Sequence, residues 1–300
     1  MDPKQYHPEA NEFTNIDDGG PAPYIEDQDG NCRQLGCVLS NTPRRLMATM
    51  AGTGFRVWTK NEIEDAIRTK PFKSRSIFNP DKWLEDQKQR GSCCPTAGTA
   101  ASRKAAFYAG LSDIPRLSAE FLYAQINRGQ DNGAVLSDCE NAIKTIGQIV
   151  RNDEKHPFNR DILARNYSPE EYRDALKWRA GTTLEINSEL ELATLVLSKS
   201  GGVVVAVDVD NSFMKLDKNG ICGGGRGPGN HAVHVDDVDI INGELVFDMQ
   251  NSWGLNFGEA GRAYTTWQRH FVPTYRNHQF FAVMGSSYDA LRDEGPAVKV

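Results

Sequence analysis

The stretch Asp86–Gly110, DQKQRGSCCPTAGTAASRKAAFYAG, decides how the rest of this 300-residue chain is read. From about residue 93 it has the composition of a helix. Ala97, Ala100, Ala101, Ala105 and Phe107 can pack, and Gly110 can end it. Pro95 has no N–H and is tolerated only near a first turn, so it fixes the helix start at Cys93 or Cys94. A thiol there meets free backbone N–H groups and the positive end of the helix dipole, which favours thiolate over thiol.

A nucleophilic thiolate needs a base and something to orient that base. Both are found in the last third of the chain. His231 opens the apolar strand HAVHVDDVDI (231–240) after the flexible run GGGRGPGN, and Asn251 follows the next strand, GELVFDMQ (243–250), in the tetrapeptide NSWG. An imidazole can take up the thiol proton, and an amide oxygen can hold the ring in the useful tautomer. Cysteine early with histidine and asparagine late is the order expected of a cysteine hydrolase. His234 lies three residues along the same strand, on the opposite face, and is read as structural or surface. The Gly223–Gly225 run has no following Lys-Ser/Thr pair, so it reads as a flexible loop rather than a phosphate cradle.

Four blocks in this order resemble the papain-like cysteine peptidases, in particular microbial and viral members, over about residues 75–285. In DQKQRGSCC, Gln87 stands six residues before Cys93. GNHAVHV resembles the family's histidine strand, and NSWGLNFGEAG its asparagine block. LSAEFLY…NRGQDNGAVLSDCENAIKTIG resembles the middle region. The resemblance implies an α+β, papain-like fold of two lobes with the active-site cleft between them. The helical lobe would span about 93–180, and an antiparallel, barrel-like sheet lobe about 181–285 plus 76–92. By position Cys93 would be the nucleophile, His231 the base and then acid, and Asn251 the residue orienting His231. Gln87 and the Cys93 N–H would form the oxyanion hole. Trp253 would cover the His–Asn hydrogen bond, and Gly133 would border the substrate cleft. Ala134, Val135, Val205 and Gly229 would lie near the pocket for the side chain two residues before the scissile bond.

The activity implied is that of an endopeptidase working through an acyl-enzyme on protein or peptide substrates, with no metal and no organic cofactor. Two other readings share the fold: a hydrolase of cell-wall or isopeptide bonds, and a catalytically weak structural or binding protein of a viral particle or assembly. Several residues depart from the family pattern. Cys94-Pro95 replaces the usual aromatic after the nucleophile, and Arg90 stands where a disulfide cysteine is common. A nucleophile at Cys94 would leave Lys88, not Gln87, at the oxyanion spacing. Asp236, Asp237 and Asp239 follow the histidine where Gly-Tyr-Gly is common, either to favour basic substrates or to face solvent.

The remaining patterns agree with two lobes. Helices are expected at 60–69, 118–127, 134–149, 174–180 and 188–198, and strands at 183–186, 202–208 and 279–285. A helical first half and a sheet-rich second half argue for α+β. Lys plus Arg is 34 against 40 Asp plus Glu, a net charge of -6, so nothing draws the chain generally to nucleic acid or an anionic membrane. No apolar run reaches 18 residues, and the N-terminus lacks an apolar signal core. Six cysteines are too sparse for a disulfide scaffold. A reducing compartment is expected, the cytoplasm or the interior of a viral particle or assembly.

Residues 1–75 carry three readings: an inhibitory propeptide threaded through the cleft in the nonproductive direction, a permanent extension, or an anchor to another protein. Residues 286–300 read as a polar tail. Cys32 and Cys37 have no second ligand pair for a metal. A further expectation is that one of them caps the catalytic thiol or forms a disulfide with it.

Overall fold

The structure, a computed structural model, describes residues 24–38, 48–71, 73–157, 163, 166–180, 182–224, 231–271 and 280–284. Gly229 and the 286–300 tail lie outside the described residues. The N-terminal part supplies β1 (Tyr24–Glu26), β2 (Cys32–Gln34), β3 (Cys37–Val38), β4 (Ala48–Thr49) and α1 (Lys60–Thr69). Next come α2 (Ser74–Ile77), α3 (Pro80–Trp83), α4 (Cys93–Tyr108), α5 (Ala119–Ile126), β5 (Ala134–Val135), α6 (Leu136–Thr145) and α7 (Pro169–Ala175). The C-terminal part supplies β6 (Thr183–Glu185), α8 (Glu189–Leu197), β7 (Gly201–Val207), β8 (His231–Ile241), β9 (Glu244–Gln250), β10 (Arg262–Thr265) and β11 (Phe280–Met284).

Helix starts follow local chemistry. Thr59 with Glu62 and Ser168 with Glu171 form capping boxes at α1 and α7, and Ser118 and Ser188 accept backbone N–H groups at α5 and α8. The helix over 60–69 falls where its sequence places it. The one expected over 134–149 is shorter, because Ala134–Val135 is extended and pairs with β3.

Seven strands form one open sheet in the order β10-β9-β8-β7-β11-β6-β4, antiparallel except for the β4–β6 pair. No barrel closes. On β7 the two-residue period sorts the side chains. Val203, Val205 and Val207 enter the core with Leu192, Leu195 and Phe280, while Val204 and Ala206 face α4 with Ala232, Phe281 and Val283. Helix α4 is buried from Cys93 to Ala106 because it lies between this sheet and α5–α6. Such a helix shows no amphipathic stripe, and its alanines let the backbone approach the sheet closely.

The first 75 residues are not one unit in packing. β4 extends the main sheet, and Met50, Ile63 and Ile67 are buried in the same core as α8. The 74–92 segment bridges the lobes. Phe78 and Trp83 pack edge-on at 4.8 Å beside Phe107 of α4, whereas Arg75 pairs with Asp248 of β9.

The three carboxylates after His231 neither line a cleft nor simply face solvent. Asp236 is buried and pairs with Lys104 of α4 and Arg262 of β10. Asp237 accepts from Lys70 at 3.0 Å and from the Ser74 N–H at 2.8 Å, and Asp239 pairs with Lys73. The physical reason is a register shift of the β8–β9 pairing between Val235 and Asp237, together with cations brought in from distant segments. Among the described residues no helix is long and apolar enough to cross a membrane.

Candidate active site

Cys93 is the first residue of α4, and His231 is the first of β8, paired across the sheet with Val207. Asn251 follows β9 directly. All three side chains are buried. His231 Nε2 lies 2.7 Å from Asn251 Oδ1, so the ring N–H on that side is held by the amide oxygen. Nδ1 is buried without an oxygen or nitrogen partner, and the Cys93 thiol is hydrogen-bonded to the ring. Trp253 lies over the imidazole with ring centroids 4.6 Å apart. Burial works against a thiolate at Cys93. Hydrogen bonds from the Cys94 thiol and from His231, with the charge of the ring, outweigh it and hold Cys93 well below the usual thiol range.

Cys94 behaves oppositely. Burial, with the thiols of Cys37 and Cys93 beside it, pushes it well above that range. Its Sγ donates to the Ala134 carbonyl at 3.3 Å. The structure therefore assigns different electrostatics to two adjacent thiols, and this yields a pH prediction. With the N-terminal segment displaced by Gly36→Val, alkylation at Cys93 by a small neutral haloacetamide should persist at neutral pH and fall only as pH drops through the lowered value, while Cys94 stays unlabelled. Mass mapping of the labelled peptide between pH 5 and pH 9 measures this, and equal labelling of both thiols would contradict it.

Gln87 is fixed from both ends. Its backbone N–H donates to the Ser252 carbonyl at 2.9 Å, and its Oε1 accepts from Ser252 Oγ at 2.5 Å. Nε2 is thereby aimed outward, donating to the Arg90 carbonyl at 2.7 Å and to the Gln34 carbonyl at 3.0 Å. The second acceptor comes from the N-terminal segment.

That segment lies along the same groove. Arg33 is buried and donates to Asp27 at 2.7 Å, Asp86 at 2.8 Å and the Trp253 carbonyl at 2.9 Å. Gln34 Nε2 donates to the Asp131 carbonyl. Beyond it β3 runs parallel to β5, with Cys37 opposite Ala134, and the Ala134 N–H donates to the Gly36 carbonyl at 2.7 Å. Gly36 is required at this crossing, since a Cβ there would stand 2.0 Å from the Gly91 carbonyl oxygen. Gly133 takes φ +92°, and a Cβ on it would meet the Gly36 carbonyl at 2.4 Å.

Of the residues expected near the cleft, Gly133, Ala134 and Val135 thus border the groove, and Trp253 covers His231. Val205 does not reach it. Its side chain is buried in the sheet-lobe core, because the alternation of β7 turns it away from α4. His234 is buried and structural, with Nδ1 donating to the Val203 carbonyl at 2.8 Å, and burial beside Lys104 drives its pKa well down. All six cysteines are free thiols. Cys32 is exposed, and Cys37 lies against Cys94 rather than bonded to Cys93. Arg33, Gln34, Gly36 and Asp131 escaped the sequence reading. Nothing local marks them as part of the groove, since the contacts that place them there join segments far apart in the chain.

The papain family cysteine protease model matches residues 75–277. The chain belongs to the papain family of cysteine proteases. Among solved structures it is similar to xylellain, a cysteine protease from Xylella fastidiosa, with TM-score 0.62 and 17% identity over 90% of this chain and 99% of that one. It is also similar to a procathepsin B from Trypanosoma congolense (TM-score 0.60, 16% identity, 83% of this chain and 85% of that one). A digestive procathepsin L 3 of the Tenebrio molitor larval midgut matches at TM-score 0.51 and 18% identity over 68% of both chains. No curated protein sequence matches. Family membership makes the chain a cysteine peptidase with the mixed α+β fold described above.

Proposed function

We propose that this papain-family member is an endopeptidase held latent by its own residues 24–38. The observation that carries the reading is the meeting of Cys93, His231 and Asn251 from three distant elements, with the thiol shifted towards thiolate. In the reaction, Cys93 Sγ attacks the scissile carbonyl carbon. The oxyanion is held by Gln87 Nε2 and the Cys93 N–H, and His231 passes its proton to the leaving amine. Water then attacks the acyl-enzyme with His231 as base, and the acid product leaves.

This geometry fixes the direction of a substrate. The leaving amine must lie on the His231–Trp253 side, and the acyl half on the Gly133 side. The leader runs the other way, from Arg33 at Trp253, past Gln34 at Gln87, to Cys37 beside Ala134. It puts a carbonyl where the oxyanion would form but reverses the peptide, so it occupies the cleft without offering a cleavable bond. The two parts of the first 75 residues then differ in role. The 24–38 part is inhibitory, and the 48–69 part is a lasting piece of the sheet lobe.

Two experiments test this. An irreversible epoxide inhibitor of thiol peptidases, followed by peptide mapping, should label Cys93 in the full-length Gly36→Val chain and far less in the unaltered, latent chain. Labelling confined to Cys94 would refute the assignment. In the second, Gly36→Val in the full-length chain should raise hydrolysis of a fluorogenic peptide about 10- to 100-fold. Forcing side-chain atoms into a backbone-to-backbone contact costs about 1–3 kcal/mol, and each 1.4 kcal/mol is tenfold in the closed-to-open ratio. Initial rates of the uncleaved variant measure it, and rates equal to the parent would remove the latency reading.

A further inference from the structure

Beyond Trp253, the described residues enclose a cavity of about 910 Å³ lined by residues of the Gln87 loop, the Trp253–Asn256 turn, Arg116, Arg151 and the leader hairpin. Trp253, which packs on His231, forms part of the cavity wall. Apart from the leader, its charged lining is Lys88, Arg116 and Arg151 against Asp86. Lys88 and Arg116 have side chains 59% and 44% exposed, so both can meet a ligand. The two arginines are held by one buried carboxylate. Glu85, 4% exposed, accepts from Arg116 at 3.2 Å, from Arg151 at 2.9 Å and from Arg103 at 3.2 Å. One anion therefore supports three guanidinium groups. Asp153, exposed, and Glu120 are the other carboxylates that act on Arg151.

A carboxylate of the N-terminal segment already lines this cavity. The leader's hairpin presents Asp29 to it, and Asp29 Oδ2 accepts from Asn256 Nδ2 at 2.8 Å. When the leader leaves, Asp27, Asp29 and Arg33 leave together, and the wall that remains carries three cations, Lys88, Arg116 and Arg151, with the Asn256 amide donor, against Asp86, which pairs with Lys88 at 2.9 Å. A cation-lined concavity with a free amide donor suits a peptide carboxylate, and guanidinium groups pre-oriented by Glu85 lose little freedom on binding it.

We propose that this cavity is a subsite on the leaving-group side that selects a carboxylate in the departing half of the substrate, either an acidic side chain or the chain's own C-terminus. The proposal rests on the peptidase reading above, so its test must separate the two. The full-length Gly36→Val chain would be given three internally quenched peptides that differ only after the scissile bond. One carries Glu with an amidated end, one Ala with a free C-terminal carboxylate, and one Ala with an amidated end. At least one carboxylate peptide should exceed the uncharged one by about tenfold in kcat/KM, and the comparison of the first two identifies the source. The ratio should collapse in Lys88→Ala/Arg116→Ala and fall below one in Arg116→Glu. It should also shrink as salt rises. A ratio near one in the Gly36→Val chain overturns the subsite while leaving the peptidase intact. If none of the peptides is cleaved, the peptidase reading fails. The subsite is then judged by fluorescence binding of the three leaving-half peptides to the same chain carrying Cys93→Ala. Carboxylate-dependent binding lost in Lys88→Ala/Arg116→Ala supports it, and equal binding of all three overturns it.

Discussion

Gln87→Ala, made in the full-length Gly36→Val chain, is expected to lower kcat by about 10²- to 10³-fold with a much smaller change in KM. That is the usual effect of removing one donor from an oxyanion hole. The reason is positional. Ser252 holds Gln87 through both its backbone and its side-chain oxygen, so Nε2 points into the groove before any substrate arrives. A donor fixed in advance has its full effect on the charge that develops in the transition state and little on the neutral carbonyl. The background matters because the same Nε2 also holds the leader at the Gln34 carbonyl. In the unaltered chain, losing it would weaken catalysis and loosen the inhibitor together, and the two effects would partly cancel. Steady-state kinetics on both backgrounds separate them. A Gln87→Ala chain whose kcat stays within threefold of the Gly36→Val parent would exclude the oxyanion role. Gln87→Glu, which keeps the Oε1 contact to Ser252 but loses the amide donor, should be as impaired as alanine.

Asp236→Ala should destabilise the fold by about 3–5 kcal/mol, the cost of leaving buried charge uncompensated. Asp236 is fully enclosed between Lys104 and Arg262, and its carbonyl accepts from Ser74 Oγ at 2.8 Å. Lys104 also lies 4.3 Å over the Phe78 ring and reaches Gln250, so it cannot retreat to water. Burial pulls its pKa well down, and Asp236 is the carboxylate it touches. For a chain of this size the loss corresponds to a fall in Tm of about 10 °C, read by calorimetry or circular dichroism. The double variant Asp236→Ala/Lys104→Met removes one stranded cation and should recover part of the loss. A single variant as stable as the parent would mean that the ion pair is not formed in the buried core.

This network shows where sequence reading stopped. Asp236, Asp237 and Asp239 were visible as an unusual acidic run, but their partners were not. Lys70 and Lys73 precede α2, Lys104 comes from α4, and only the packing of α4 on β8 brings Lys104 to Asp236. The proposed nucleophile Cys93, base His231 and orienting amide Asn251 are legible for a different reason. Each sits at a helix or strand end that local chemistry marks, by Pro95 at the start of α4 and by the strands that begin at His231 and end before Asn251. Val205 was misplaced because strand alternation depends on register: Val204 and Ala206, one step away on either side, are the residues that face α4.

The leader gives the sharpest contrast. Its short, largely polar sequence shows only that it builds no core of its own. Whether such a chain hangs free, anchors elsewhere or fills a groove depends on backbone groups that every residue carries, and sequence does not distinguish them. Thus the sequence by itself determined the family and the α+β class, and it marked Gln87, Cys93, His231 and Asn251 as candidates, because three of them stand at a helix start or a strand end. Only the tertiary structure decided that Gly36 crosses Gly91 and Gly133, that Gln34 meets Gln87, and that Arg116 and Arg151 share Glu85. Those contacts join segments far apart in the chain, mostly through main-chain atoms or a shared buried charge, and neither leaves a pattern in the order of residues.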